Sequence, residues 1–332
     1  MKPTRELPDL SLRVPATSAN LGPGFDMFGI ALDLYTTFEF QFVEQPGCRL
    51  RTVDGEEIPI PPERNLVLVA YLRFLEEQGL ATVPGLEVTV DAGAPRGRGF
   101  GSSASALVAG LGAARQVLQS SGQKQIAPER ELELLTEIEG HPDNIAPALL
   151  GGFVFSYERD GGGVGAIRRR LPEDLGLVAL IPDFTISTRQ SRGQLPAQLT
   201  RSDCLRNMRG VLLWMEYLSS GDPKYLEEAL QLDRIHQPTR ARLIPGFDRL
   251  QQEARQIGLY GVSISGSGPA LLAYYPRQNE QKIRTNLASA LSEVYPSPEG
   301  ALRFCRPDYE GLLVMKGDPV PGAAAGGFTG NP

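Results

Sequence analysis

The 332-residue chain is poor in the residues that build metal centres and covalent frameworks. Its three cysteines, Cys48, Cys204 and Cys305, lie far apart and form no CxxC pair. That excludes a disulfide framework and a zinc site of the usual spacing, and leaves reduced thiols. Only two histidines occur, His141 and His236, so a multi-histidine metal centre is excluded. No run approaches the roughly 18 apolar residues that a membrane span needs. The N-terminal MKPTRELPDL has no apolar stretch behind its basic residues, unlike a secretory leader. Basic residues are outnumbered, 33 Lys and Arg against 39 Asp and Glu, for a net charge of −6. That balance argues against a general nucleic-acid binder, though not against a local basic pocket.

What is present reads as an ordinary globular protein, 41% hydrophobic and 22% charged, and long enough for two domains. Alternation at Leu10, Leu12 and Val14 predicts a strand that Pro15 ends, followed by a loop from Thr17 to Asp26 and a second strand from Asp33 to Val43. Residues 45–62 read as turns between short strands. The spacing of Leu66, Val69, Ala70, Leu72 and Leu75 predicts a helix, with Gly79 where its C-terminal cap belongs. A strand is expected over 86–90, helices over 102–118 and 128–139, and a short helix opened by Pro142 and closed by Gly151 and Gly152.

A strand over 153–157 leads into RDGGGVGAIRRR, residues 159–170, which is the domain-boundary candidate, with a long hairpin loop as the alternative. The remainder carries expected strands at 177–181, 261–264, 270–275 and 311–315, and helices near 202–219, 223–232, 245–257 and 280–293. Without strict βαβ alternation the fold class is α+β. The segment from Lys316 to Pro332, rich in Gly, Pro and Ala, reads as a disordered tail.

The chemistry concentrates in PRGRGFGSSAS, Pro95 to Ser105. Gly97, Gly99 and Gly101 free the backbone to approach a ligand, Ser102 and Ser103 sit where a helix N-cap belongs, and a small, apolar helix follows. Such a turn aims several N–H groups at one point, an anion site; a plain flexible turn is the competing reading. No lysine is available for a Walker A loop. Gly99, Gly101 and Ala104 fit a loose G-x-G-x-x-A, but the loop lies too far behind its strand and no acidic residue follows at the Rossmann distance. A G-x-S-x-G nucleophile elbow is absent.

This loop resembles the phosphate-loop signature of the GHMP kinase superfamily, with Phe100 in place of the usual leucine. Two further superfamily motifs follow suit and in order, PATSANLGPGFD (Pro15 to Asp26) and VSISGSGPALLAY (Val262 to Tyr274). Within the superfamily, Asn20 and Asp26 of the early motif and EGHPDNIAPALLGG (Glu139 to Gly152) are most similar to the homoserine kinase branch. The resemblance implies a two-domain α+β fold: a ribosomal-protein-S5-like domain over 1–165 that holds the phosphate loop, then a ferredoxin-like domain over 166–315. It implies ATP and Mg2+, with L-homoserine as the small-molecule substrate, no nucleic-acid or membrane partner and a cytoplasmic setting, and leaves a homodimer open.

By the same resemblance the nucleotide is held by Pro95, Arg96, Gly97, Arg98, Gly99, Phe100, Gly101, Ser102, Ser103, Ala104 and Ser105. Asn20, Asp26, His141, Thr188, Arg192 and Arg240 form the amino-acid pocket. Asp26 suits the ammonium, and the arginines' planar forks suit the carboxylate. Ser103 and Glu133 are the implied metal ligands, with Glu137 as rival, while Glu131 and Glu139 read as solvated. Asn144, Ser103 and Arg192 are the implied catalytic residues. Asn144 cannot accept a full proton, so catalysis would rest on alignment and charge stabilisation. Asp143, read first as a helix cap, is the alternative base. His236, Arg189 and Arg242 read as structural. The competing functions are another kinase of the superfamily and a non-catalytic metabolite sensor on the same fold.

Overall fold

This computed structural model describes residues 7–80, 82–94, 97–186, 191–292, 294–295 and 301–316. Two sheets organise it. The larger, seven-stranded sheet contains β1 (Leu10–Ala19), β2 (Phe28–Val43), β3 (Cys48–Thr52), β4 (Gly85–Ala92), β5 (Phe153–Glu158), β6 (Val164–Arg169) and β11 (Leu313–Lys316). Its main path runs β11-β1-β2-β4-β3, and the β5–β6 hairpin pairs with the start of β2. Among the described residues of this sheet, β3 and β4 pair in parallel and the other pairings are antiparallel.

The smaller sheet is antiparallel, built from β7 (Leu175–Leu180), β8 (Gly261–Ile264), β9 (Leu271–Pro276) and β10 (Leu302–Cys305) in the order β10-β7-β9-β8. Fourth, first, third, second is the ferredoxin-like order that the sequence implied.

Pro15 does not end its strand. It sits at a register shift against β2, where Pro15 faces Tyr35 and Ala16 faces Leu32. A bulge tolerates the missing N–H donor, so β1 continues to Ala19 and delivers the early loop directly to the site.

Helices α1 (Leu66–Glu77), α2 (Ser102–Ser120), α3 (Pro128–Glu139) and α4 (Ile145–Leu150) cover one face of the large sheet. The Asn65 side chain caps α1 by accepting from the Leu68 N–H. Helix α2 is buried along most of its length, as its small residues allow. Glu131, expected to be solvated, is 2% exposed and forms a two-bond ion pair from α3 to Arg115 of α2. An arginine fork inside the helical layer requires such a partner.

A second core joins the large sheet's other face to the small sheet through α5 (Arg201–Ser220) and α6 (Pro223–Ala229). Trp214 is its centre: fully buried, ringed by Phe28, Phe153, Tyr217 and Tyr274, and donating from Nε1 to the Leu21 carbonyl at 2.9 Å. A third core lies between the small sheet and helices α8 (Phe247–Ile257) and α9 (Glu280–Leu291). The four-residue helix α7 (Gln237–Arg240) sits between α6 and α8 in the chain.

The boundary expected at residue 165 falls inside β6, so the hairpin reading describes the run at 159–163, and the chain leaves the large sheet after Arg169. It comes back, because β11 pairs with β1. Lys316 closes β11, and the remainder of the expected tail, 317–332, lies outside the described residues.

Candidate active site

Three glycine-rich segments, far apart in sequence, are strapped together by their backbones. The Thr17 N–H donates to the Phe100 carbonyl at 3.2 Å, the Gly266 N–H to Ala19 at 3.1 Å, and the Ala270 N–H to Arg98 at 2.9 Å. The Ser265 hydroxyl adds a bond to the Gly99 carbonyl at 2.7 Å. Space is so tight here that only glycine fits. A Cβ on Gly99 (φ 92°) would stand 2.3 Å from the Ser265 carbonyl, and one on Gly101 (φ 64°) would stand 2.0 Å from the Thr17 hydroxyl.

Gly101, rather than a serine, is the N-cap of α2, and no side chain caps it. Ser102 and Ser103 are the first helical residues, so the N–H groups of the opening turn remain for an anion in the cleft. Of the residues expected to hold nucleotide, Gly97, Gly99, Gly101, Ser102 and Ser103 line this cleft. Arg98 turns away: it donates to the Pro182 and Phe184 carbonyls and pairs with Asp183 at 3.0 Å. Phe100, Ala104 and Ser105 are buried beneath the loop. Pro95 and Arg96 lie outside the described residues.

The acidic partner of Ser103 is Glu139, whose carboxylate accepts the Ser103 hydroxyl's hydrogen bond. Burial pushes the Glu139 carboxyl up, and the Ser103 bond offsets only part of that. The structure does not bring Glu133 to this place. Its carboxylate meets Arg130 at 3.4 Å and Arg159 at 3.9 Å, on the helix face toward the β5–β6 hairpin. Glu137 pairs with Arg130 at 2.8 Å and is exposed. Glu133 stands six residues before the end of α3, about 9 Å of helical rise from Glu139. Among the described residues, Glu139 at the end of the helix is the acid whose carboxylate bonds to the start of α2.

Asn144 accepts from the Thr17 hydroxyl at 2.8 Å, and its amide donates to Asp143 at 3.3 Å. Thr17 is thus a member of the site that the sequence reading quoted within a motif without assigning it a role. Asp143 is 2% exposed and held 2.5 Å from His141 Nδ1. Burial pulls the His141 pKa down, but the bond and charge of Asp143 outweigh it, so the net shift is upward. Asp143 is therefore the partner of His141 and Asn144 rather than a bare helix cap.

At the cleft's other end Arg192 meets Asp26 with Nη2 at 2.9 Å and Nη1 at 3.4 Å. Asn20 (φ 70°) braces the early loop: its amide donates to the Gly266 carbonyl at 3.0 Å, and its oxygen accepts from the Asp26 N–H at 3.0 Å. Arg240, 2% exposed, donates from Nη1 to the Gly266 carbonyl at 2.9 Å and to His236 Nδ1 at 3.2 Å. Burial first, then the nearby Arg192 charge, pushes the Arg240 guanidinium down to about 10. Ser191 ties the segment that carries Arg192 to the Ser267 carbonyl at 3.0 Å. Thr188 and Arg189 lie outside the described residues. Asn20, Asp26, His141, Asn144, Arg192 and Arg240 line the same open cleft of about 600 Å³ as the glycine loop and Glu139.

Residues 65–152 match the GHMP kinases N terminal domain, and residues 214–293 match the GHMP kinases C terminal domain. The homoserine kinase of Gloeobacter violaceus is 40% identical over 287 residues, 84% of this chain and 92% of that one. The chain belongs to the homoserine kinase family. The homoserine kinase of Synechococcus sp. is 41% identical over 274 residues, 82% of this chain and 87% of its own length. Among solved structures, homoserine kinase from Cytophaga hutchinsonii superposes with a TM-score of 0.79 at 28% identity, over 95% of this chain and 99% of that one. A mevalonate kinase structure shares the fold, with a TM-score of 0.64 at 15% identity. The two-domain α+β fold of the GHMP kinases is therefore the fold of this chain.

Proposed function

We propose that this chain transfers the γ-phosphoryl group of ATP to the side-chain hydroxyl of L-homoserine, giving O-phospho-L-homoserine and ADP, a step of threonine biosynthesis. The observation that carries the reading is that one cleft has two chemically different ends. One is the uncapped start of α2 behind a glycine loop; the other gathers Asp26, Arg192 and Arg240. A phosphate suits the first. A free amino acid suits the second, which offers an anion for its ammonium and two guanidinium forks for its carboxylate.

Because Asp26 and Arg192 bond to each other, the substrate enters by exchanging that ion pair. Its ammonium takes the guanidinium's place on Asp26, and its carboxylate takes the aspartate's place on Arg192. Arg240 supplies the second cationic contact. Thr17 and Asn144 stand between the two ends and align the hydroxyl. Asp143 is engaged by His141 and Asn144, so we assign it to holding them and not to proton abstraction. A loose phosphoryl-transfer transition state does not require early deprotonation of the acceptor.

Magnesium is part of the proposal. Ser103 and Glu139 offer two hard oxygen donors beside the phosphate end, a set that suits an ion which keeps several waters and phosphate oxygens. When bound, it offsets charge on the β- and γ-phosphates. A cytoplasmic setting follows from an ATP-dependent reaction on a free amino acid, and the free thiols Cys48, Cys204 and Cys305 suit a reducing compartment.

A homodimer completes the reading, supported by a stripe on α5. Leu205, Met208 and Leu212 are 58%, 60% and 67% exposed. Arg206 and Arg209 lie toward the start of the helix and Glu216 toward its end, so a two-fold, antiparallel pair would set arginines against glutamates. Light scattering should report a dimer for the wild type and a monomer for Leu212→Glu.

Coupled ADP release tests the function. Turnover should require ATP and magnesium together with L-homoserine, and the product should be the O-phosphorylated amino acid. Absence of homoserine-dependent ADP release would sink the reading.

A further inference from the structure

His236 belongs to no glycine-rich motif and lies outside the expected amino-acid pocket, yet it is completely buried against Arg240. Its surroundings fix which nitrogen carries the proton. Nε2 stands 3.0 Å from the Gly22 carbonyl, which can only accept, and 3.3 Å from an Asp233 oxygen. Nε2 therefore donates. Nδ1 faces Arg240 Nη1 at 3.2 Å. A guanidinium can only donate, so Nδ1 must present a lone pair. Protonating it would set an N–H against an N–H and a second positive charge against Arg240. Burial also favours the neutral ring, although Asp233 and Asp26 pull the other way.

The imidazole is itself held in place. The Asp233 carboxylate accepts from the Ile235 N–H at 2.8 Å, the His236 N–H at 3.4 Å and the Gln237 N–H at 2.8 Å, pinning the start of α7. The Gln237 side chain in turn accepts from the Ile264 N–H of β8 at 2.9 Å. Phe25 closes the other side, its ring 5.6 Å from the His236 ring and 5.6 Å from the Arg240 guanidinium carbon. Arg240 Nη1 is thus fully engaged by His236 and Gly266, while the side chain lines the substrate cleft.

We propose that His236 is a positioning residue for substrate selection: its bare Nδ1 grips one edge of the Arg240 guanidinium so that the opposite edge meets the substrate carboxylate. An arginine side chain has many rotamers, and holding one before substrate arrives removes an ordering cost from binding. The inference rests on Arg240 being the carboxylate anchor.

Two substitutions separate the two imidazole nitrogens. His236→Asn keeps an acceptor at the Nδ1 position and loses the reach to Gly22. His236→Gln keeps the reach and loses the acceptor. His236→Gln should raise the homoserine KM about tenfold, the loss of one hydrogen bond to a charged group, with the ATP KM unchanged. His236→Asn should recover most of that loss. In an Arg240→Leu background, His236→Gln should add nothing further. An unchanged homoserine KM in His236→Gln, or an equal rise on top of Arg240→Leu, would overturn the positioning role. If Arg240→Leu alone leaves the homoserine KM unchanged, the anchor itself is wrong and the inference falls with it. Wild-type protein gives an independent measurement, since the chain has only two histidines. Long-range 1H–15N spectra of 15N-histidine-labelled enzyme should show His236 neutral with a bare Nδ1 near pH 7. A protonated Nδ1 would refute the proposal even if both variants fail to fold.

Discussion

Replacing Gly101 with alanine separates two effects that usually travel together. Gly101 has φ 64°, and its added methyl would lie 2.0 Å from the Thr17 hydroxyl and 3.0 Å from the Asn144 amide oxygen. Gly122, just past the end of α2, has φ 67° with nothing within 4 Å of the added methyl. The backbone penalty of a left-handed alanine, ~1–2 kcal/mol, is common to both. At Gly101 the methyl must also displace Thr17 and break its bond to Asn144, about 1 kcal/mol more. Gly122→Ala should lower the melting temperature by roughly 2–6 °C with kcat unchanged. Gly101→Ala should melt lower still and lose about 100-fold or more in kcat, because a displacement of about 1 Å at aligned groups is that damaging. Thermal melts and coupled ADP-release kinetics on both variants decide the matter. Equal kcat in the two variants would refute the claim that the Thr17–Asn144 contact aligns the site.

Glu139→Gln should raise the magnesium concentration needed for half-maximal activity at least tenfold, whereas Glu133→Gln should leave it unchanged; magnesium titrations at saturating ATP report both. Arg240→Leu should raise the homoserine KM by more than about 30-fold, the loss of one partner in a buried charged contact. It should also discriminate far less than wild type against a homoserine analogue with a neutral amide for the carboxylate, measured in competition. Glu139, pushed up by burial, must be ionised to hold a metal. Activity should therefore fall as pH falls through a value above the ordinary glutamate range, and raising magnesium should move that acid limb to lower pH in a kcat/KM profile.

The three glycine-rich segments were legible because glycines at positive φ beside a small-residue helix start show in the sequence itself, even where the crowding that requires them comes from a distant segment. Gly99 and Gly101 have no room for a Cβ, and Asp26 must carry its charge at the cleft. Glu139 was not legible, because the choice among acids on α3 depends on where that helix ends relative to α2, a three-dimensional fact. The family resemblance pointed to Glu133, six residues and nearly two helical turns short of the position that meets Ser103. Glu131 misled for a related reason: its partner Arg115 lies on another helix, so nothing nearby in the sequence marks it as buried. Strand β1 passed through Pro15 because a bulge, invisible in a pattern of alternation, absorbs the missing donor. Strands β3, β6 and β10 are four to six residues long. They are held chiefly by pairing with neighbouring strands, and their own composition says little.

The return of β11 to the large sheet bears on how the enzyme comes into being at the ribosome. The first domain emerges first, yet the outer edge of β1 at Ser11–Arg13 finds its partner only when residues 313–316 have been made. Until then the nascent chain carries an unpaired edge on the same strand that ends, six residues later at Ala19, in the substrate loop. Closure of the sheet and the final setting of that loop are thereby linked to the synthesis of residues 313–316. A polypeptide released before residue 313 keeps all the catalytic side chains described here but lacks the strand that holds their frame.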